Sequence, residues 1–148
     1  MPLINIASNI ILRSQLYLNQ ALKTKNLSSA EGNILMFLYG NGDGVNQDAI
    51  VAGVDVSKPA ISRTINSLEH KGYISRQAGA DDRRARIVFL TEQAKTAREF
   101  VQGVYADYVA IAAKGIPTAK MDEFIHLLQG VSENIDACLR AIAEQKTE

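Results

Sequence analysis

Apolar residues recur at steps of three and four residues along most of the chain, the spacing that places them on one face of an α-helix. The pattern predicts a first helix from Leu3 to about Lys25 and a second helix that begins after Ser28 and ends near Gly40. Ser28 and Glu31 have the spacing of a capping box, in which each side chain bonds the backbone N–H of the other residue. The first quarter of the chain is therefore predicted to be helical.

Two long helices are predicted after residue 90. Thr91 is placed to cap a helix that extends to about Lys114, and the segment GIPT interrupts it because glycine and proline break helices. Thr118 is then expected to cap a last helix over about residues 119–144, whose apolar positions keep helical spacing. These positions are Leu127, Leu128, Val131, Ile135, Leu139 and Ile142. Gly103 lies inside the first of the two helices and is expected to loosen it locally.

The middle of the chain switches to a different pattern. A short helix is predicted from about Asn46 to Ala52, and after the turn GVDV a second helix begins at its cap Ser57 and ends at Gly72. The segments YISRQ and RARIVFLT are strand candidates, and the second is rich in β-branched and aromatic residues. Between them, AGADDRR contains turn-forming glycine and aspartate. The two strands are therefore predicted to form a β-hairpin.

Size and composition indicate a globular protein of one domain, with or without an oligomerisation element, in 148 residues. No stretch approaches the roughly 18–20 apolar residues that cross a membrane, and the N-terminus lacks the basic start of a signal peptide. The single cysteine excludes an intrachain disulfide and agrees with a reducing compartment. We therefore expect a cytoplasmic protein without a membrane partner.

Charge is balanced over the whole chain but not along it. Sixteen Lys and Arg residues offset sixteen Asp and Glu residues, whereas residues 57–86 include seven basic and three acidic side chains. That segment has a net charge of +4 on a neutral chain. A local basic surface of this kind indicates a polyanionic partner.

The helix that begins at Ser57 has two contrasting faces. At about 100° per residue, Ile61, Ile65 and Leu68 form one apolar stripe that is predicted to be buried. The opposite face combines basic, amide and hydroxyl side chains, namely Pro59, Arg63, Asn66 and His70, flanked by Ser62 and Ser67. Arginine can read guanine and asparagine can read adenine in the DNA major groove, while Ser57, Lys58 and the helix N-terminus suit phosphates. Taken alone, such a face is equally typical of a helix exposed to solvent.

The neighbouring elements favour DNA binding. The preceding short helix and turn complete a helix-turn-helix, and the hairpin that follows has the length of a wing. Arg83, Arg84 and Arg86 lie at its turn, and arginine inserted into a narrow minor groove reads DNA shape. The alternative is a winged helix that serves as a protein-interaction module with its basic face solvated. That alternative predicts no DNA binding at physiological salt.

These motifs resemble the MarR family of winged-helix transcription regulators over essentially the whole chain. SLEHKGYISR is similar to the family's junction of recognition helix and wing, LSSAE to the start of its second helix, and DDRRARIVFLT to its wing signature. The Asp-x-Arg pair of the signature matches Asp82 and Arg84, although Asp81 and Arg83 form an overlapping pair one residue earlier. The resemblance implies that Arg84 enters the minor groove and that Asp82 holds it by a charge-assisted bond. The segment NQDAIVAGVDV departs from the family pattern because it lacks the usual Leu-Ala pair.

The resemblance implies a mainly α-helical protein with a small β-hairpin wing, a winged helix-turn-helix with N- and C-terminal dimerisation helices. Its parts are an N-terminal dimerisation helix over residues 1–27, a DNA-binding lobe over 28–91 and C-terminal helices over 92–148 that complete the dimerisation region. It further implies a homodimer on a pseudo-palindromic double-stranded operator, with recognition helices about 34 Å apart, and a repressor released by a small-molecule effector. The candidate DNA-binding residues are Ser57, Lys58, Pro59, Ser62, Arg63 and Asn66 on the helix and Asp82, Arg83, Arg84 and Arg86 on the wing.

Other kinds of site are not indicated by the sequence. His70 and His126 lack the neighbouring ligands of a metal site, and without a catalytic set or cofactor motif no enzyme activity and no cofactor are expected. Cys138 lies among apolar residues, so we expect a buried side chain rather than an oxidant-sensing thiol. The aromatic residues are candidates for either the core or an effector pocket, and no pocket residue is assigned. They are Tyr17, Phe37, Tyr39, Phe100, Tyr105 and Tyr108.

Overall fold

The computed structural model describes residues 2–54 and 56–147 and has the predicted order of helices with a small antiparallel sheet. The elements, in chain order, are α1 (Pro2–Leu22), a 3₁₀ helix (Lys23–Lys25), α2 (Ser29–Asn41), β1 (Val45–Asn46), α3 (Gln47–Val54), α4 (Lys58–His70), β2 (Ile74–Ala78), β3 (Arg86–Leu90), α5 (Glu92–Ala112) and α6 (Thr118–Gln145). The predicted fold class is therefore confirmed.

The starts of α2 and α4 are confirmed by their hydrogen bonds. Ser28 N donates to Glu31 Oε1 at 2.9 Å, and Glu31 N donates to Ser28 Oγ at 3.2 Å, which completes the capping box of α2. Ser57 Oγ accepts from Ala60 N at 3.4 Å at the start of α4. These bonds satisfy backbone N–H groups that have no partner inside the helix, and so fix where each helix begins.

The two long helices differ in how they begin. Thr91 Oγ1 accepts from Ala94 N at 3.3 Å, so the predicted cap of α5 is confirmed. α6 instead begins at Thr118 itself, and Pro117 precedes it without a side-chain cap bond. The predicted Thr118 cap is therefore wrong by one position, because Thr118 is already the first residue of the helix and Pro117 occupies the cap position.

The predicted hairpin is extended by a third strand that the sequence did not indicate. β2 and β3 pair antiparallel, from Ile74 opposite Leu90 to Ala78 opposite Arg86. β1 pairs with the other edge of β3, which gives the strand order β1-β3-β2. With only two residues, β1 is too short to show an alternating pattern.

The chain divides into two compact units, residues 1–108 and residues 109–148. In the first unit, one apolar core joins α1, α2, α3, α4, the sheet and the first part of α5. The predicted stripe of α4 is confirmed, since Ile61, Ile65 and Leu68 are buried in this core. The other large side chains that are fully buried are Leu22, Ile34, Leu35, Leu38, Ile50, Val88 and Val101. The core thus fixes α4 by its apolar face.

The second unit contains the end of α5 and all of α6, and none of the residues of α6 is buried. Cys138 is exposed, so its expected burial is wrong for the single chain, in which the stripe of α6 faces solvent. The exposed large apolar side chains of α6 are Phe124, Ile125, Leu127, Leu128, Val131, Ile135, Leu139 and Ile142. Among the described residues, no helix combines the length and apolarity needed to cross a membrane.

Candidate nucleic-acid interface

The solvent face of α4 presents most of the residues predicted to contact DNA. Pro59, Arg63 and Asn66 are exposed, and Ser62 is half-buried beside them. Lys58 is exposed in the first turn of the helix. With the apolar face of α4 held in the core, these side chains form one polar surface on a helix of the diameter that the major groove admits.

Ser67 and Lys71 do not belong to this surface, although Ser67 was expected to flank it. Ser67 Oγ donates to Glu31 Oε2 at 3.0 Å, and Lys71 Nζ lies 2.8 Å from Glu31 Oε1. Glu31 is only 3% exposed. Burial raises the pKa of its carboxyl group, but the bonds from Lys71, Ser28 and Ser67 together leave that pKa below its ordinary value. The carboxylate of Glu31 therefore joins the start of α2 to the end of α4.

Arg76 on β2 engages a second group of side chains. Its Nε and Nη2 donate to the two carboxylate oxygens of Glu69 at 3.1 and 2.9 Å. Its Nη2 also donates to Asn66 Oδ1 at 2.7 Å, and its Nη1 to Gln47 Oε1 at 3.4 Å. Hydrogen bonding to Arg76 lowers the pKa of Glu69, so the carboxylate stays charged. Arg76 thus ties the wing to both helices of the helix-turn-helix.

These two ion pairs reduce the number of cations on the basic surface that are free to bind a ligand. Of the seven basic residues in the segment 57–86, Lys71 is neutralised by Glu31 and Arg76 by Glu69. Within the part of the chain that the structure describes, the other five form no ion pair. They are Lys58, Arg63, Arg83, Arg84 and Arg86, all of them exposed. The cations of this segment that remain for a polyanion therefore lie on the outer face of α4 and along the wing.

The wing tip is a closed turn. Gly79 N donates to Ala85 O at 3.0 Å, and Ala85 N donates to Asp82 O at 3.1 Å. A Cβ on Gly79 would lie 2.7 Å from Asp82 O, so the turn requires glycine there. The carboxylate of Asp82 accepts from the backbone N–H of Arg84 at 2.9 Å, whereas the resemblance implied a bond to its guanidinium. Asp82 thus shapes the turn and leaves the Arg84 side chain exposed.

The aromatic candidates divide between the core and its margin. Tyr39 is buried and donates to Ala94 O at 2.6 Å, and burial raises its pKa to about 12. Tyr105 donates to Asn33 Oδ1 at 2.5 Å, and burial raises its pKa as well. Phe100 is 36% exposed and lies under the ammonium group of Lys25. Tyr39 and Tyr105 are therefore structural residues with satisfied hydroxyl groups.

A small cavity of about 140 Å³ lies between α1, α2 and the beginning of α4. Its lining combines apolar side chains with amide and hydroxyl groups. The residues are Gln15, Ser29, Ala30, Asn33, Ile34, Val54, Val56, Ala60, Ile61 and Thr64. The six aromatic candidates are not among these residues. The cavity borders both α1 and α4, so a molecule bound in it would contact both.

The pairing of Glu69 with Arg76 and of Glu31 with Lys71 was not predicted from the sequence. Glu69 and Arg76 stand seven residues apart across the turn at Gly72, and the sequence alone gives no register for a helix that passes into a strand. Glu31 and Lys71 are forty residues apart. The only available signal was the capping box, which placed Glu31 at the start of α2 but gave no indication of its second partner.

Comparison with known proteins finds similar chains among transcription regulators of one family. Residues 25–85 match the family model described as MarR family. A MarR transcriptional regulator from Methanosarcina mazei Go1 is 27% identical, with a TM-score of 0.79 over 90% of this chain and 96% of that one. The transcriptional regulator SlyA is 18% identical, with a TM-score of 0.82 over 91% and 94% of the two chains. The MepR protein of an S. aureus MepR–DNA complex is 19% identical, with a TM-score of 0.81 over 88% and 96%.

Proposed function

We propose that the chain is a MarR-family winged-helix transcription regulator, which binds a specific double-stranded operator as a homodimer and represses transcription. The observation that carries the proposal is the set of five exposed cations on α4 and the wing that remain after the internal ion pairs are counted. On a chain of zero net charge, five cations that are unpaired among the described residues, gathered on a groove-sized helix and its following hairpin, form a local basic surface that suits DNA.

Each part of this surface has a distinct role in the proposal. Ser57 and Lys58 bind phosphate at the start of α4, where the helix N-terminus favours an anion. Pro59 and Ser62 allow close approach to the groove floor, and Arg63 contacts base edges. On the wing, Arg84 enters the minor groove, and Arg83 and Arg86 contact its phosphates. Asp82 acts indirectly, by holding the turn that presents Arg84.

The test of DNA binding is a titration of the pure protein against fragments of its own genome at several salt concentrations. The expected result is a preference for particular fragments, with an affinity that falls steeply as salt rises, because basic side chains displace counterions from phosphates. The absence of any sequence preference, or an affinity independent of salt, would contradict the proposal. Either result would favour a protein-interaction module instead.

We further propose that a small molecule relieves repression. The cavity between α1, α2 and α4 supports this step, since a ligand there would bias how the recognition helix sits relative to the N-terminal helix. Such a ligand must favour the geometry that does not bind DNA by about 1–3 kcal/mol, the usual size of a coupling between two sites. The test is a reporter driven by the selected operator, which an effective compound derepresses. Loss of reporter expression when the regulator is deleted would identify an activator and contradict the repressor role.

The proposed homodimer rests on two helices with unpartnered apolar faces. In α1, large side chains are exposed at Leu3, Ile4, Ile6, Ile10, Ile11, Leu12 and Leu16. In α6, none of the residues is buried. Apolar stripes of this length favour burial against another surface, and a second copy of the chain supplies a matching one. A two-fold axis then places two recognition helices on a pseudo-palindromic site.

A further inference from the structure

Asn66 does not present a free amide to solvent, although it is exposed on the recognition face of α4. Its Oδ1 accepts from Arg76 Nη2 at 2.7 Å, which is a short, charge-assisted bond. Arg76 is itself fixed, because two of its nitrogens bond the carboxylate of Glu69 and a third bonds Gln47. The orientation of the Asn66 amide is therefore set by a strand of the wing.

The chemistry of the guanidinium leaves one choice for that orientation. Arginine has five N–H donors and no acceptor, so only the oxygen of the Asn66 amide can face Arg76. The NH₂ group is then directed away from Arg76. An asparagine that pairs with adenine must instead offer both an acceptor for N6–H and a donor for N7. In this structure one of the two lone pairs of the amide oxygen is used by Arg76, and the oxygen stands beside a positive charge, which disfavours an approaching N6–H donor.

We propose that Arg76 holds Asn66 as a hydrogen-bond donor, so that Asn66 selects guanine rather than adenine in the operator. Guanine offers two acceptors, N7 and O6, at the major-groove edge, whereas adenine offers N7 beside the N6 amino group. Arg76 is a positioning residue in this arrangement. It fixes base preference from the wing strand without contacting a base. The inference rests on the proposed DNA-binding function and deepens it by assigning the base that one helix residue reads.

The experiment measures binding of the wild type to a selected operator and to duplexes that carry each of the other base pairs at each position. The same set is measured with Asn66→Ala, and the position where this variant loses discrimination is the one that Asn66 contacts. The expected wild-type preference there is guanine over adenine by about tenfold, the order of one good base contact. A wild-type preference for adenine at that position would overturn the inference. So would the absence of any position at which Asn66→Ala loses discrimination.

Variants at position 76 test the cause. Arg76→Met frees the amide oxygen, so the preference at the Asn66 position is expected to move toward adenine. Arg76→Lys keeps a cation without an acceptor and is expected to keep guanine. A loss of stability alone would weaken binding to every duplex equally and would not change the preferred base. An unchanged preference for guanine in a folded Arg76→Met protein would overturn the role of Arg76.

The outcomes separate this inference from the function on which it rests. If Arg76→Met does not fold, the wild type and Asn66→Ala still identify the base that Asn66 selects. A wild-type protein that binds a specific operator but reads adenine through Asn66 overturns the inference and leaves the proposed function standing. A protein without sequence preference on any duplex overturns both.

Discussion

A single carboxylate at the wing tip holds the turn that presents a neighbouring arginine to solvent. Asp82 accepts from the backbone N–H of Arg84, a local side-chain-to-backbone bond of the kind that fixes tight turns. The guanidinium of Arg84 stays exposed and keeps its donors for a ligand. Removal of Asp82 and of Arg84 is therefore expected to weaken operator binding to different extents, because Asp82 shapes the turn and Arg84 is the residue proposed to contact DNA.

Substitutions at these two positions test that division. Arg84→Ala is expected to weaken operator binding by about 1–3 kcal/mol, and Asp82→Ala by about 0.5–1.5 kcal/mol, the value of one hydrogen bond in an exposed turn. Asp82→Asn keeps an oxygen for the Arg84 N–H and is expected to bind nearly as well as the wild type. Affinities measured on one operator at one salt concentration check the order. Equal affinity of Arg84→Ala and the wild type would contradict the wing assignment.

At the scale of elements, the recognition helix is held by two different kinds of contact. Its apolar face packs into the core through Ile61, Ile65 and Leu68, while a buried carboxylate from another helix bonds its far end. Glu31 belongs to the capping box of α2 and also accepts from Ser67 and Lys71. The same side chain thus fixes where α2 begins and how α4 docks against it.

Stability is expected to depend on the charge of Glu31. Its pKa in the folded chain lies below the ordinary value of 4.5, so its contribution is present above pH 4.5 and is lost as the pH falls through the lower folded value. Glu31→Gln is expected to cost about 1.5–3 kcal/mol near pH 7, the range for a hydrogen bond to a charged group. The difference from the wild type should shrink on acidification below pH 4.5. Urea unfolding at fixed protein concentration and several pH values measures it.

Glu123→Gln is the matched control for this prediction. Glu123 makes an exposed i,i+3 pair with Lys120 on α6, and such pairs are worth little. The control should unfold within about 0.5 kcal/mol of the wild type at every pH. A similar loss in both variants would indicate a general effect of removing negative charge, and would contradict the special role of Glu31.

Two helical glycines are expected to respond in opposite directions to the same change. A Cβ on Gly32 would lie 2.6 Å from Leu22 Cδ1 and 2.8 Å from the Tyr105 hydroxyl, whereas none of the described atoms lies within 4 Å of one on Gly103. Gly32→Ala should destabilise by about 1–3 kcal/mol through overpacking. Gly103→Ala should stabilise by about 0.5–1 kcal/mol, because alanine is the better helix former. Thermal unfolding of the two variants and the wild type measures these changes in stability. A stabilised Gly32→Ala would contradict the close packing of α1, α2 and α5.

The elements show which features a sequence can predict. Caps and apolar spacing are local, so the starts of α2, α4 and α5 and the buried face of α4 followed from a few neighbouring residues. The contacts of Arg76 and of Glu31 depend on how elements pack together that are separated by a turn or by forty residues of chain. The residue pattern along one helix does not indicate which residues of another element it will meet. Asn66 is therefore predicted only as a candidate base-contacting residue, without any partner inside the protein. Its orientation emerged only when β2 was placed beside α4.

At the scale of the whole molecule, the chain is divided between a well-packed unit and a unit that lacks a core of its own. The unit of residues 1–108 buries a continuous set of apolar side chains, whereas α6 in the unit of residues 109–148 buries none. A helix of 28 residues with one apolar stripe is not expected to remain solvated along its whole length. Its stability is therefore expected to depend on association with a second chain.

A matched pair of substitutions on α6 tests this dependence. Ile135 lies on the apolar stripe with Leu128, Leu139 and Ile142, and Ala137 lies on the opposite face at about 100° per residue. Ile135→Asp places a charge in the proposed dimer interface and is expected to produce a monomer in sedimentation experiments. Ala137→Asp adds the same charge to the polar face and is expected to stay dimeric.

The two variants should also differ in their affinity for the operator. A monomer retains the first unit, whose core does not include α6, but it contacts one half-site instead of two. Because linking two half-site contacts raises affinity by orders of magnitude, Ile135→Asp should lose at least about a hundredfold in operator affinity. Ala137→Asp should bind like the wild type. A monomeric Ile135→Asp that binds the full operator with wild-type affinity would contradict a dimeric operator complex, whereas a dimeric Ile135→Asp would contradict the interface on α6.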